Sequence, residues 1–151
     1  MKSTLKVIIT ALCLSVASVA ASASSGPVYF PKSTGAPYSK AVQVDNTLYI
    51  SGLLGMGKDG LSDDFGTQMT QLMANLSSTL SEFNLTSADV FKCTVMIDDM
   101  ANWPAFNKIY VSFFEPDRLP ARSAFASNGL PAKALVELEC LAYMPKGRIA
   151  R

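Results

Sequence analysis

The residue types best suited to chemistry are one arginine and two glutamates near the end of the chain. Arg122 lies among small residues in a segment that begins at Pro120, and Glu137 and Glu139 follow it in an apolar segment. Side chains alternate between the two faces of a strand, so the two glutamates share a face. A guanidinium fork near a carboxylate can hold a small carboxylate ligand. A structural ion pair on a solvated hairpin is the alternative interpretation of the same charges.

We predict that a hairpin from Pro120 to Tyr143 carries these charges. Asn128-Gly129 is the strongest two-residue turn signal in the sequence, because Asn and Gly tolerate a positive φ. The glutamate face of the second strand also carries Leu135, Leu141 and Tyr143. The other face carries only apolar side chains: Val136, Leu138, Cys140, Ala142 and Met144.

Two helices must support this segment. The first is predicted from about Asp64 to Phe83, since its apolar residues recur every three or four positions. They are Phe65, Met69, Leu72, Leu76, Leu80 and Phe83. The second helix is predicted after Asn102 as a capping residue, with Pro104 in its first turn and Pro116 as its stop.

The remaining strands precede or separate these helices. Val28-Tyr29-Phe30 is a possible short strand, Ala41–Val44 and Thr47–Ser51 read as a hairpin, and Val90–Ile97 is a further strand. The glycines that follow Ser51 (Gly52, Gly55, Gly57 and Gly60) are interpreted as loop residues. The order β-β-β-α-β-α-β-β predicts an α+β fold, a sheet of about six strands with both helices on one face. We expect a partner to cover the other face of the sheet.

The N-terminal segment resembles a secretory signal. Lysines precede an apolar run from Val7 to Ala20, which is shorter than the roughly 20 residues that span a bilayer. Ala21-Ser22-Ala23 fits a signal-peptidase site. We therefore predict a cleaved signal peptide over 1–23 and a single domain over 24–151, exported to the periplasm in a bacterium or otherwise secreted. An uncleaved anchor is the alternative; after cleavage no membrane association is expected.

Composition excludes several classes of function. The chain has no histidine, which excludes Ser-His and Cys-His catalytic pairs and histidine metal sites. Its net charge is +1 without a basic run, so nucleic acid is not expected as a partner. Cys93 and Cys140 could form one disulfide in an oxidising compartment, but we predict two buried free thiols, because both alternate with apolar neighbours.

Five segments in register make the chain resemble the reactive-intermediate deaminases, the Rid or YjgF family. They read APYSKAV, LYISG, DVFKCTVMIDDM, NKIYVSFF and the closing PARSA, LP and ALVELECLA. The resemblance covers about Val28 to Pro145. It implies a chorismate-mutase-like fold and a homotrimer whose sites lie between subunits.

The resemblance also implies an activity, the hydrolysis of 2-imino and 2-enamino acids to 2-oxo acids and ammonia. The family's carboxylate-binding arginine matches Arg122 and its acidic residue matches Glu137; these are the expected catalytic residues. Tyr38 and Asn107 match its substrate-binding tyrosine and asparagine. An iminium is already electrophilic, so neither a cofactor nor a metal is expected. Burial would raise the pKa of Glu137 and Arg122 would lower it, an outcome left open by the sequence.

Some positions depart from the family pattern. Ala36 replaces a glycine before Pro37-Tyr38, Leu53 replaces a glutamine after Ser51-Gly52, and Ala124 stands where a cysteine is common. Leu53 removes a hydrogen-bonding group, which leaves a second hypothesis open. This is a non-catalytic, carboxylate-binding or chaperone-like trimer of the same fold. A nuclease activity, sometimes attributed to the family, is the least expected.

Overall fold

A computed structural model describes residues 26–33 and 35–145 as one mixed sheet with two helices on one face. The strands are β1 (Val28–Pro31), β2 (Ser39–Val44), β3 (Thr47–Leu54), β4 (Val90–Ile97), β5 (Ala121–Ala126) and β6 (Val136–Tyr143). The helices are α1 (Phe65–Glu82) and α2 (Trp103–Phe113). This confirms the predicted α+β class, the order of elements and the six strands. The predicted signal peptide and its cleavage site lie outside the described residues.

Helix α1 forms where its apolar stripe predicts it. Asp64 caps the helix, since its Oδ1 accepts hydrogen bonds from the Thr67 N–H at 2.8 Å and the Thr67 hydroxyl at 2.7 Å. All six residues of the predicted stripe are buried against the sheet. A polar side chain beside this stripe is buried as well. Gln68 is buried, and its side chain donates to the Ser62 carbonyl and accepts from the Leu135 N–H.

Helix α2 begins after a short 3-10 turn, Met100–Asn102. Asn102 lies at the N-cap position of the helix, as predicted, but its side chain makes no capping hydrogen bond. Asp99 caps the preceding 3-10 turn by accepting from the Ala101 N–H at 2.8 Å. Pro104 lies in the first turn of the helix, as predicted, where a missing N–H costs nothing. The helix ends at Phe113, ahead of Pro116.

The predicted closing hairpin is wrong. The strand order is β1-β2-β3-β6-β4-β5, so β4 separates β5 from β6. Helix α2 returns the chain to the outer side of β4, where β5 pairs with it in parallel, while β6 inserts between β3 and β4. Gly129 does have a positive φ of 89°. The turn signal therefore reports a local bend of the chain, which does not determine which strands pair.

The two faces of β6 are as predicted. Its apolar side chains, Val136, Leu138, Cys140 and Ala142, are buried under the helices. Glu137, Glu139, Leu141 and Tyr143 lie on the face that no helix covers. This open face also carries three more exposed aromatic residues, Tyr29 of β1, Tyr49 of β3 and Phe125 of β5.

Cys93 and Cys140 form a disulfide, so the prediction of two free thiols is wrong. They are register partners on the antiparallel strands β4 and β6, with Cα atoms 4.2 Å apart. Such directly opposed residues can be bridged without moving the backbone. Burial of both side chains, which suggested free thiols, is equally compatible with a bridge inside the core.

Within the described ranges, neither helix is long and apolar enough to cross a membrane.

Candidate functional site

Arg122 lies on β5, on the helix-covered face of the sheet. The parallel pairing places it beside Cys93, whose side chain is in the core. Its guanidinium therefore extends along α2, and Nη2 donates a hydrogen bond of 2.8 Å to the Oδ1 of Asn107. Asn107 and Arg122, predicted separately as substrate-binding residues, are thus brought together by the β4-α2-β5 crossover.

The positive charge of Arg122 is not neutralised within the described part of the chain. Its guanidinium lies over the rings of Trp103, Phe106 and Tyr110, at 4.8, 5.2 and 4.7 Å from their centroids. No carboxylate among the described residues pairs with it, so the alternative of an intrachain ion pair finds no support. A half-buried guanidinium with free N–H donors is suited to an anionic ligand.

Tyr110 does not supply a negative charge that would neutralise Arg122. Burial raises the pKa of its phenol to about 12, against a smaller lowering by the charge of Arg122. The phenol is therefore neutral at physiological pH. Its buried hydroxyl also has no hydrogen-bond partner in the residues that the structure describes.

Glu137 lies on the opposite, open face of the sheet. It is the register partner of Met96 on β4 and Leu54 on β3, and it is half-buried. Burial raises the pKa of its carboxyl, and the negative charge of Glu139 raises it further. The sequence left open whether burial or Arg122 controls the pKa of Glu137. Burial does, because Arg122 lies on the other face of the sheet.

Gly52 makes room for the Glu137 carboxylate. A Cβ at residue 52 would overlap the Oε1 of Glu137. The interpretation of this glycine as a loop residue is wrong, since it lies within β3 at a bulge between Ile50 and Leu53. The signal that could have revealed it is its place directly after the strand sequence LYIS, before the turn-rich residues begin.

Tyr38 lies just before β2, near the β3 bulge that holds Gly52. It precedes Ser39, whose carbonyl accepts a hydrogen bond of 2.7 Å from Ser51, the neighbour of Gly52. Its hydroxyl accepts a hydrogen bond from the Lys32 ammonium, which also lies 4.6 Å from the ring centroid.

A cavity of about 330 Å³ adjoins Tyr38. Its lining includes Lys32, Ser51 and three apolar side chains, Leu53, Leu54 and Met56. Leu53 thus lines this cavity at the position where the family pattern has a glutamine. Ala36 belongs to the turn before Tyr38, where its N–H donates to the Ser33 carbonyl at 3.2 Å.

The predicted site residues thus form two separate halves within one chain. One half, on the helix side, holds Arg122 and Asn107; the other, on the open face, holds Glu137 beside Gly52. Tyr38 joins neither half, since its cavity is also lined by Asn75, Ser78 and Thr79 of α1. Two strand spacings, about 10 Å, and the thickness of the sheet separate Arg122 from Glu137. No group of three or more Cys, Asp or Glu side chains in the described ranges could hold a metal ion.

Comparison with known proteins shows which family has this sequence and architecture. The family model described as Endoribonuclease L-PSP matches residues 31–144. The RutC family protein UK114 of Drosophila melanogaster is 39% identical over 110 residues, 71% of this chain and 79% of that protein. A 2-iminobutanoate/2-iminopropanoate deaminase of Mus musculus is 36% identical over 109 residues, 70% of this chain and 80% of that protein.

Solved structures agree with the sequence relatives. The crystal structure of RidA from an Antarctic Psychrobacter species is 31% identical and superposes with a TM-score of 0.69, covering 77% of this chain and 94% of that one. The matched family model spans Tyr38 and both halves of the candidate site. The chain therefore belongs to the reactive-intermediate deaminase family, the Rid, YjgF or L-PSP family.

Proposed function

We propose that this protein hydrolyses 2-imino and 2-enamino acids to 2-oxo acids and ammonia. The observation that carries the proposal is the Arg122 guanidinium, held by Asn107 and without a carboxylate partner in the described residues. Names of relatives such as the mouse 2-iminobutanoate/2-iminopropanoate deaminase support the same reaction.

The reaction assigns different tasks to the two halves of the site. Two charge-assisted hydrogen bonds from Arg122 would hold the substrate carboxylate. Glu137 would take a proton from water as the oxygen adds to the imine carbon, and would return a proton to the nitrogen. The resulting carbinolamine then releases ammonia and leaves the 2-oxo acid. General acid–base help of this kind contributes typically about 10²–10⁴-fold, and these steps require neither a cofactor nor a metal.

The site would be completed by a second copy of the chain. Arg122 and Glu137 lie on opposite faces of one sheet, so they cannot approach one substrate within a subunit. The open face carries exposed aromatic residues at Tyr49, Phe125 and Tyr143, which favours burial against another subunit. We propose the homotrimer that the family resemblance implies. Light scattering at micromolar concentration tests it, and a monomer would contradict it.

We also propose that the protein works outside the cytosol. The N-terminal sequence supports this, and so does the Cys93–Cys140 disulfide, since disulfides persist mainly in oxidising compartments. Fractionation of the native host, with the intact mass of the mature chain, tests both points. A cytosolic protein that retains residues 1–23 would contradict the proposal.

One assay tests the hydrolysis directly. Iminopropanoate is generated in situ by an amino-acid oxidase and trapped with semicarbazide, and active protein lowers the yield of adduct. Arg122→Ala should abolish turnover and weaken binding of the 2-oxo acid product. Glu137→Gln should lower turnover but leave product binding within a few-fold, because Arg122 remains. Arg118→Ala is the matched control, since the guanidinium of Arg118 lies away from the candidate site and donates a hydrogen bond of 3.2 Å to the Ala88 carbonyl.

A non-catalytic carboxylate-binding protein is the second candidate. Leu53 beside Tyr38 favours it, because this side chain cannot orient water as the glutamine of the family pattern could. Product binding that depends on Arg122, without any loss of semicarbazide adduct, would establish this candidate instead.

A further inference from the structure

A row of aromatic rings on α2 lies against the Arg122 guanidinium, and the hydrolysis above assigns it no task. We propose that Trp103, Phe106 and Tyr110 are positioning residues that hold Arg122 in one orientation and so set the affinity for carboxylate ligands. The inference deepens the proposed function and rests on the role of Arg122 as carboxylate anchor.

The row follows from helical spacing. Trp103, Phe106 and Tyr110 are three and four residues apart, so they share one face of α2. The rings of Trp103 and Phe106 are stacked, with centroids 5.3 Å apart and planes 10° apart. Phe106 and Tyr110 are also stacked at 5.3 Å. Each ring therefore limits the rotation of the next, which makes the row a fixed surface.

The guanidinium contacts all three rings, with its carbon 4.7 to 5.2 Å from their centroids. A ring face attracts the cation but uses none of its five N–H donors. Asn107 uses one of them. The rings can therefore fix the orientation of the guanidinium while its charge and the remaining donors stay available for a ligand. A carboxylate partner would fix the orientation but neutralise the charge.

The ring of Tyr110, rather than its hydroxyl, makes this contact. The hydroxyl is buried and has no hydrogen-bond partner within the described residues. Tyr110→Phe should therefore preserve the positioning effect, which makes it a matched control for the aromatic face.

Trp103 provides an optical signal, because it is the only tryptophan in the chain. Its ring lies 4.8 Å from the guanidinium, so an anion bound to Arg122 should change its fluorescence. Titration of the folded protein with 2-oxobutanoate should give a saturable change. Arg122→Ala should lose this change and Arg118→Ala should keep it.

Calorimetric titration with 2-oxobutanoate then compares the ring variants. Trp103→Leu should weaken binding about three- to thirtyfold, the range of a cation–π contact. Trp103→Phe and Tyr110→Phe should bind within a few-fold of the parent. In turnover, Trp103→Leu should raise KM and leave kcat nearly unchanged, because the anchor binds substrate and transition state alike. Trp103 is only half-buried, and thermal unfolding verifies that each variant folds.

Two results would overturn the inference. One is a folded Trp103→Leu protein that binds 2-oxobutanoate as well as the parent. The other is a wild-type protein that does not bind this anion, since Arg122 would then be no anchor. If binding depends on Arg122 and Trp103 but the semicarbazide assay shows no turnover, the positioning role stands and the proposed hydrolysis fails.

Discussion

Arg122 and Glu137 lie on opposite faces of the same sheet, on strands separated by β4. The Arg122 row continues through Cys93, Cys140 and Ile50, which are buried under the helices. Glu137 belongs to another row, with Met96 on one side and Leu54 on the other. An active site that uses both residues must therefore be built from two chains.

Mixed trimers should recover activity from two inactive variants. Arg122→Ala and Glu137→Gln chains with different tags can be co-expressed and purified over both tags. Each mixed trimer would contain one site with an intact arginine and an intact glutamate. We expect about one third of wild-type turnover from cyclic symmetry. Mixed trimers as inactive as their parents would contradict a site shared between neighbouring chains.

Gly52→Ala should impair turnover with little effect on folding. The added Cβ would occupy the space of the Glu137 Oε1, so the flexible carboxylate must move. We expect kcat to fall by about 10²-fold, the lower range of lost acid–base help. Gly57→Ala is the control, because its Cβ would make only an ordinary contact of 3.6 Å. Combining Gly52→Ala with Glu137→Gln should add little; a full additive loss would show that the two residues act independently.

The acidic limb of the pH–rate profile should report Glu137. A general base must be deprotonated, and burial followed by the charge of Glu139 raises the pKa of this carboxyl above its usual 4.5. Activity should therefore fall as the pH decreases through that raised value. Glu139→Gln removes a negative neighbour, so the limb should move to lower pH. An unchanged limb in Glu139→Gln would mean that another group controls it.

The raised pKa of Glu137 also makes the stability of the fold depend on pH. A carboxyl whose folded pKa is raised binds more protons in the folded state than in the unfolded state between the two pKa values. Stability from this group therefore falls as pH rises through that window. Glu137→Gln should not lower the melting temperature at pH 7, and any gain should vanish near pH 4. A large loss of stability at pH 7 would contradict this account.

The disulfide should contribute strongly to stability. It joins residues separated by 47 positions, for which loop entropy predicts about 4 kcal/mol. The Cys93→Ala/Cys140→Ala double variant should therefore unfold at clearly lower denaturant concentration than the oxidised protein. Non-reducing mass spectrometry of the native protein should show a mass lacking two hydrogens, and thiol reagents should not label it before unfolding. Two titratable thiols in the native protein would contradict the bridge.

The sequence by itself determined the features that depend on local periodicity. The stripe from Phe65 to Phe83 follows the period of a helix, and the alternation from Leu135 to Tyr143 follows that of a strand. Each pattern identifies an element and its buried face without knowledge of any partner. The face of Glu137 and the buried stripe of α1 were therefore predictable.

Only the tertiary structure decided which strands are neighbours. The turn at Asn128-Gly129 suggested that β5 pairs with β6, but the α2 crossover placed β5 outside β4. Strand register then determined that Cys93 lies opposite Cys140 and that Gly52 lies beside Glu137. It also determined that Arg122 lies on the helix side. Pairing and register depend on contacts between residues distant in sequence, because several strands compete for the same sheet edges. A local pattern carries no information about that competition, so the division of the site into two halves emerged only in the folded chain.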